Sequence, residues 1–163
     1  MNQKIYKITL GQQVLILFPL ILTNSIVLSF CIYKFGWTTA TYWVIAILLV
    51  ISIIPTIIVH LQYLRQNLGL TLAIDFDKKY LEFDKKGKKS KYSFLDISKL
   101  IRTSSYGRGT GWYSFAEYRY YKIIFKNNAE FIVTCLLVNN IEKNLIAKLD
   151  HEEEKKLKIV ALV

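Results

Sequence analysis

The chain has 163 residues and a formal net charge of +10, and 53% of its residues are hydrophobic. It is long enough for one small domain and an anchor. Its two cysteines are too few for the disulfide framework of a small secreted domain. The charges divide the chain at Leu70, because 18 of the 22 Lys and Arg and all 12 acidic residues come after it. We therefore expect an apolar region at 1–69 and a charged globular domain at 70–163.

Two apolar runs without charges, 14–33 and 42–61, make up most of the first region. Each has 20 residues, and a helix of that length spans about 30 Å, the thickness of the hydrocarbon core of a bilayer. The runs predict a membrane protein with an α-helical transmembrane hairpin. Leu64 and Leu68 continue the helical spacing of the second run, so its helix should continue to about residue 68, before Gly69.

Basic residues flank the hairpin unequally. Lys4 and Lys7 precede the first run, Arg65 and the lysine-rich domain follow the second, and Lys34 alone lies in the connection 34–41. Because the richer flanks stay in the cytoplasm under the positive-inside rule, both termini are expected there.

Small polar residues lie within both runs, whereas no ionisable residue reaches the middle of either. Such residues commonly join neighbouring helices by hydrogen bonds and close packing, and the alternative is a polar path or a substrate site. We expect helix–helix contacts in the membrane from Thr23, Asn24, Ser25, Ser52 and Thr56.

Alternating apolar residues from Leu70 onward predict a series of short strands separated by turns rich in Lys, Gly, Asn and Asp. The alternation changes face near Tyr120, which predicts a β-bulge. The nearly apolar run 130–138 predicts a central strand.

The period then becomes helical. Asn139 and Glu142 have the spacing of a capping box, and they predict a C-terminal helix from about residue 140. Glu152 and Lys156, and Glu154 and Lys158, have the spacing of favourable i,i+4 pairs on the exposed tail that follows.

The stretch LTLAIDFDKKYLEFDKKGKKSKYSFLDISKL, residues 70–100, with its FLDIS turn, is similar to the start of bacterial PH-like domains. With the order of elements as far as Leu149, it resembles the pleckstrin-homology superfold. The resemblance implies an α+β domain of six or seven antiparallel strands in a bent sandwich or barrel, closed by the C-terminal helix. In bacterial families such domains follow one or two spans of the inner membrane, act as interaction modules and sometimes form rings.

One turn of the domain is strongly basic. One interpretation is a solvated hairpin tip, and the other is contact with anionic lipid headgroups or a partner. Lipid-binding PH domains carry their basic residues one turn earlier, between the first two strands. Nucleic acid is not expected as a partner, because the tip lacks interleaved aromatic residues. The candidate contacts are Lys85, Lys86, Lys88, Lys89 and Lys91, with Arg108 in the glycine-rich stretch 106–112.

No combination of residues predicts an enzyme. The domain has one histidine, His151, and we find neither metal-ligand spacing nor a nucleophile with its base. No catalytic residue, metal or cofactor is expected. We expect a non-enzymatic protein of the bacterial inner membrane that presents a PH-like module to the cytoplasm for protein–protein or homo-oligomeric contacts. The alternatives are a membrane-embedded immunity protein that neutralises a toxin acting at the membrane, and an anionic-lipid sensor.

Overall fold

The structure, a computed structural model, describes residues 3–105, 118–149 and 153–158. Its elements in chain order are β1 (Gln3–Lys7), α1 (Leu10–Phe35), α2 (Thr39–Leu48), a π-helical turn (Leu49–Ile53), α3 (Ile54–Asn67), β2 (Leu70–Asp75), β3 (Tyr80–Lys85), β4 (Lys88–Ser93), a 3₁₀ turn (Phe94–Asp96), β5 (Ile97–Ser105), β6 (Arg119–Phe125), β7 (Glu130–Thr134), α4 (Ile141–Asn144), a 3₁₀ turn (Ile146–Lys148) and β8 (Glu153–Lys158).

The two apolar runs form helices that are longer than the runs themselves. α1 has 26 residues, and Thr39–Asn67 forms one continuous helical rod of 29 residues. A capping box starts α1, because Gln12 N donates to Thr9 Oγ1 and Thr9 N donates to Gln12 Oε1, both at 3.3 Å. Both helices are long and apolar enough to cross a membrane, by length and composition.

The rod widens to a π-helical turn just before Pro55. Proline has no backbone N–H and its ring crowds the carbonyl four residues earlier, so a regular α-helical turn is disfavoured here. The wider turn over Leu49–Ile53 relieves this crowding, and Ile54 N donates to Leu49 O instead.

The first strand corrects the expected domain boundary at Leu70. β1 pairs antiparallel with β2, with Lys4 opposite Ile74 and Lys7 opposite Thr71. The helical hairpin is therefore an insertion between the first two strands of the domain, and not a segment that precedes it. A five-residue strand carries little periodic signal, and its partner comes only after the whole hairpin, so local sequence patterns did not reveal it.

The strands form two four-stranded sheets. The order is β1-β2-β3-β4 in sheet A and β7-β6-β5-β8 in sheet B. All neighbours are antiparallel except β8, which runs parallel to β5. The expectation of an entirely antiparallel domain is wrong at this edge.

The predictions for β6 and β7 also need correction. β6 pairs with β5 in regular register through Tyr120 and Tyr121, and the irregularity lies in β5 between Ile97 and Lys99. Apolar residues lie on both faces of β6 because both faces are covered, one by α3 and the other by sheet A. β7 is an edge strand that ends at Thr134. The apolar residues at 135–138 are buried in turns rather than in a central strand.

The C-terminal helix expected from about residue 140 is reduced in the described residues to the four residues of α4 and a 3₁₀ turn. Asn140 has a left-handed conformation and makes no side-chain cap hydrogen bond. Glu142 bonds Arg119 and Arg102 on sheet B instead of completing a capping box. Glu154, Lys156 and Lys158 of the expected charge pairs lie in β8, whose backbone pairs with β5, and Glu152 lies outside the described residues.

The main core lies between the sheets and is closed by α4 and the turns after β7. Phe83 stacks on Phe131 and Tyr92 stacks on Phe125, each with ring centroids 4.0 Å apart. The fully buried large side chains of this core include Leu72, Ile74, Leu81, Phe83, Leu100, Tyr121, Ile123, Phe125 and Leu137.

Candidate functional site

The lysine-rich turn is the tip of the β3–β4 hairpin. Lys85 lies opposite Lys88, so Lys86 and Gly87 form a two-residue loop. Their φ angles are 55° and 83°, the positive values that type I′ hairpin turns require. Asp84 Oδ1 accepts a hydrogen bond of 2.9 Å from Gly87 N and holds the loop in place. The lysines are thus presented on a fixed turn.

The structure divides the five predicted lysines into two groups. Lys89 lies opposite Asp84 and its Nζ is 3.5 Å from Glu82 Oε1. Lys91 lies opposite Glu82, and its Nζ is 3.7 Å from the centre of the Tyr80 ring. On the outer face of sheet A, these two lysine side chains therefore contact neighbouring side chains of the sheet.

The other three lysines lie near the C-terminal end of the helical rod, where the chain passes from α3 to β2. Lys85, Lys86 and Lys88 are exposed, and no ion pair joins them to an acidic side chain within the described residues. Lys85 pairs with Leu70, the first residue of β2, and Lys86 N donates to Gly69 O at 3.4 Å.

Lys7 lies at the same end of sheet A, opposite Thr71 on the last rung of β1. It is exposed and lies three residues before the first residue of α1. Lys7, Lys85, Lys86 and Lys88 thus lie at the end of sheet A from which the hairpin extends, and we call these four residues the basic rim. Arg108 lies outside the described residues.

The polar residues within the hairpin make mostly local contacts. Asn24 Nδ2 donates to Leu20 O at 2.7 Å and to Ser52 Oγ at 3.5 Å, which links the two helices. Thr23 and Thr56 donate to the carbonyls of Pro19 and Ser52, four residues earlier in their own helices. Ser25 is exposed and lines, with Asn24 and apolar residues of both helices, a groove of about 290 Å³. The structure thus brings only Asn24 and Ser52 together across the hairpin.

The sequence did not reveal the joint between α3 and sheet B. Val59 and Tyr63 are fully buried, and with Tyr118, Tyr120, Cys135 and Leu136 they form a second apolar cluster. His60 Nδ1 and the Tyr118 hydroxyl share a hydrogen bond of 2.8 Å. We call these seven residues, with Asn67, the helix–sheet joint. Val59 and His60 lie at the end of the predicted second run, and Tyr63 and Asn67 lie on the continuation of its helix.

Asn67 attaches the end of α3 to the edge strand β7. Its Nδ2 donates to Ile132 O at 2.7 Å, and its Oδ1 accepts from Thr134 N at 3.0 Å. The side-chain amide therefore pairs with the backbone of β7 as a neighbouring strand would. It satisfies two groups that an edge strand otherwise leaves unpaired.

Burial alters the acid–base behaviour of the joint. It raises the pKa of the Cys135 thiol to about 11 and also raises the pKa of Tyr118. Both groups are therefore neutral at physiological pH. The described residues contain no group of three or more His, Cys, Asp or Glu that could hold a metal ion.

The chain matches the profile of a known protein family. The profile of a protein family described as PH domain matches residues 5–146. The match begins within β1, includes the helical hairpin, β2 to β7 and α4, and ends before β8. Among curated proteins, none matches the chain.

Proposed function

Because the chain belongs to the PH domain family, we propose that it is a membrane-anchored interaction module. The hairpin spans the inner membrane of a bacterium, and the PH-like domain contacts a protein partner or further copies of the chain in the cytoplasm. The protein is non-enzymatic in this proposal, and the domain's orientation at the membrane is part of its function.

The observation that carries the proposal is the insertion of the hairpin between β1 and β2. β1 leads into α1, and the rod returns to β2 through the helix–sheet joint. Both ends of the hairpin are thus fixed in the domain, whereas a single flexible linker would let the domain rotate. A fixed orientation keeps one surface toward the bilayer and the opposite end available to partners.

The surface of the hairpin supports its place in a membrane. Only 11% of the most apolar stretch of α1 and 17% of that of Thr39–Asn67 are buried. Core helices of a soluble protein are largely buried, and exposed apolar area of this size would be unfavourable in water. Three exposed aromatic residues lie around the connection: Trp37, Tyr42 and Trp43. Aromatic residues of membrane proteins are enriched at the bilayer interface.

Cysteine labelling on intact bacterial cells tests the orientation. In a Cys31→Ser/Cys135→Ser background, Thr38→Cys places a thiol in the connection and Lys78→Cys places one in the β2–β3 turn; both positions are exposed. We expect a membrane-impermeant maleimide to label Thr38→Cys on intact cells and Lys78→Cys only after lysis. The reverse pattern would overturn the topology, and recovery of the chain in the soluble fraction would overturn the anchor.

A further inference from the structure

The helix–sheet joint limits how deep the hairpin can lie in the proposed membrane. Tyr120 of the joint belongs to β6, a strand that also carries Arg119 and Lys122. Charged strands and the turns between them are excluded from the hydrocarbon of a bilayer. The part of α3 that packs on this strand, from Val59 onward, therefore lies outside the hydrocarbon core.

The remaining lengths of the two helices match a bilayer. Ile16 of α1 packs against the joint, so α1 can cross the hydrocarbon over residues 17–35 and the rod over residues 39–58. These segments of 19 and 20 residues are about 29 and 30 Å long, the thickness of the hydrocarbon core. Residues 10–16 and 59–68 thus lie between the bilayer and the sheets, and we call them the stalk.

The stalk exposes apolar side chains on the side away from sheet B. Leu61 lies two residues from both Val59 and Tyr63, and Val14 lies two residues from Ile16. Two residues are about 200° around a helix, so Leu61 and Val14 face away from the joint. The exposed apolar residues on this side of the stalk are Leu10, Val14, Leu61 and Leu68. Apolar area outside the bilayer indicates an interaction surface.

The same side of the hairpin continues into the membrane as the groove between the two helices. Ile21 and Ser25 line this groove of about 290 Å³, and they lie seven and eleven residues after Val14, which are two and three turns along one side of α1. Ile53 lines it from the rod, about four turns before Leu68. The four stalk residues and the groove therefore form one continuous surface, which we call the open face.

Resting on the proposed function, we propose that the open face pairs with the open face of a second copy of the chain, so that two hairpins form a four-helix bundle. A membrane holds every copy at the same depth and in the same direction. A two-fold axis along the membrane normal then brings each stalk residue level with its counterpart. None of the residues assigned to the open face is charged, so the two copies meet without like-charge repulsion.

The size of the open face is sufficient for a dimer. Two helices side by side are about 20 Å wide, and the 26 residues of α1 are about 39 Å long. The face thus offers about 800 Å² per copy, the area that each partner contributes to a standard protein–protein interface. The groove also provides space for side chains of the second copy, as interdigitated helices require.

Cross-linking of the full chain in membranes tests the pairing. Two forms with different tags are co-expressed in the Cys31→Ser/Cys135→Ser background, both with Val14→Cys or both with Leu61→Cys, and the membranes are treated with a short bismaleimide. We expect a product of twice the chain mass that carries both tags. The two tags identify the partner as a second copy.

Leu15→Cys is the matched control. Leu15 is 58% exposed and Val14 is 62% exposed, and Leu15 follows Val14 in the stalk but points about 100° away around α1. Because a two-fold interface uses the same patch of both copies, we expect Val14→Cys to cross-link at least about fivefold more than Leu15→Cys.

Light scattering in mild detergent gives a second readout that needs no thiol. Val14→Glu places a carboxylate on the open face, where pairing would bury it without a partner. We expect a protein mass of two chains for the unchanged protein and for Leu15→Glu, and of one chain for Val14→Glu.

Equal cross-linking of Val14→Cys and Leu15→Cys would overturn the proposal, and so would products that carry one tag and the mass of another protein. A mass of one chain for the unchanged protein would also contradict it. Recovery of the chain in the soluble fraction refutes the anchor on which the proposal rests, whereas a membrane-bound chain without cross-links refutes the pairing alone.

Discussion

Asn67 shows how one side chain fixes the relation between the hairpin and the domain. It is 1% exposed and hydrogen-bonds both Ile132 O and Thr134 N. Nothing in the neighbouring sequence indicated this role for Asn67. Its role depends on the position of β7 beside α3, and the two bonded residues lie 65 and 67 positions later in the chain.

We predict that Asn67→Ala loosens the helix–sheet joint. The substitution leaves a buried N–H and a carbonyl without partners, at a cost of about 2 kcal/mol or more. Cys135 reports the opening, because it is 5% exposed and burial raises its pKa to about 11, so it reacts slowly when the joint is closed. In a Cys31→Ser background, alkylation of Cys135 should become about 30-fold faster.

The neighbouring variant Gln66→Ala is the control for this measurement. Gln66 is half-buried on the same turn of α3, so its truncation should leave the alkylation rate of Cys135 within about twofold of the unchanged joint. Equal rates in the two variants would show that Asn67 does not hold α3 against β7.

At the scale of elements, β1 makes the hairpin an insertion within sheet A. The strand is short and carries two lysines, yet Tyr6 packs against the main core and lies opposite Leu72. Ile5 faces the other way and is 66% exposed. Comparing substitutions of these two adjacent residues therefore distinguishes loss of core packing from a general effect of side-chain truncation in β1.

We predict that Tyr6→Ala destabilises the domain by about 1–3 kcal/mol, because it removes a partly buried aromatic side chain from the core. Ile5→Ala should change stability by less than about 0.5 kcal/mol. The comparison is made by thermal unfolding of the full chain in detergent, followed by near-ultraviolet circular dichroism. Equal effects of the two substitutions would contradict the place of β1 in sheet A.

In the C-terminal segment, the sequence predicted a helix where the structure forms mostly turns and a strand. Helical signals were present locally, in the spacing of Asn139 and Glu142 and in the charge pairs that follow. The structure uses Glu142 to bridge Arg102 and Arg119, at 3.2 and 2.9 Å, and pairs β8 with β5. Tertiary pairing overrides weak helix propensity here, because each local charge pair contributes only about 0.2–0.5 kcal/mol.

At the scale of the whole molecule, the hairpin and the domain form one folding unit. Sheet A needs β1 from before the hairpin, and sheet B is covered on its outer face by α3. The fragment 70–163, which the sequence suggested as an independent domain, lacks both. It would expose Tyr118 and Tyr120, and β2 would become an unprotected edge strand.

We predict that the isolated fragment 70–163 does not unfold cooperatively and gives a poorly dispersed amide NMR spectrum. The full chain in detergent micelles should unfold in one cooperative transition of its sheets. A fragment in which residues 3–9 are fused by a Gly/Ser linker to residue 68 should improve only partly, since the face normally covered by α3 stays exposed. A sharp, dispersed spectrum from 70–163 alone would show that the domain folds without β1 and the hairpin.

The sequence by itself determined the two apolar helices, the three strands between Leu70 and Ser93, and the likeness to PH domains. These features follow from length, periodicity and turn chemistry, which are properties of neighbouring residues. Only the tertiary structure decided that β1 belongs to the domain, that Asn67 and Tyr63 attach α3 to sheet B, and that Lys85, Lys86 and Lys88 lie at the same end of sheet A as Lys7. The physical reason is that strand pairing and sheet packing join residues distant in sequence, and a single sequence carries no local record of those contacts.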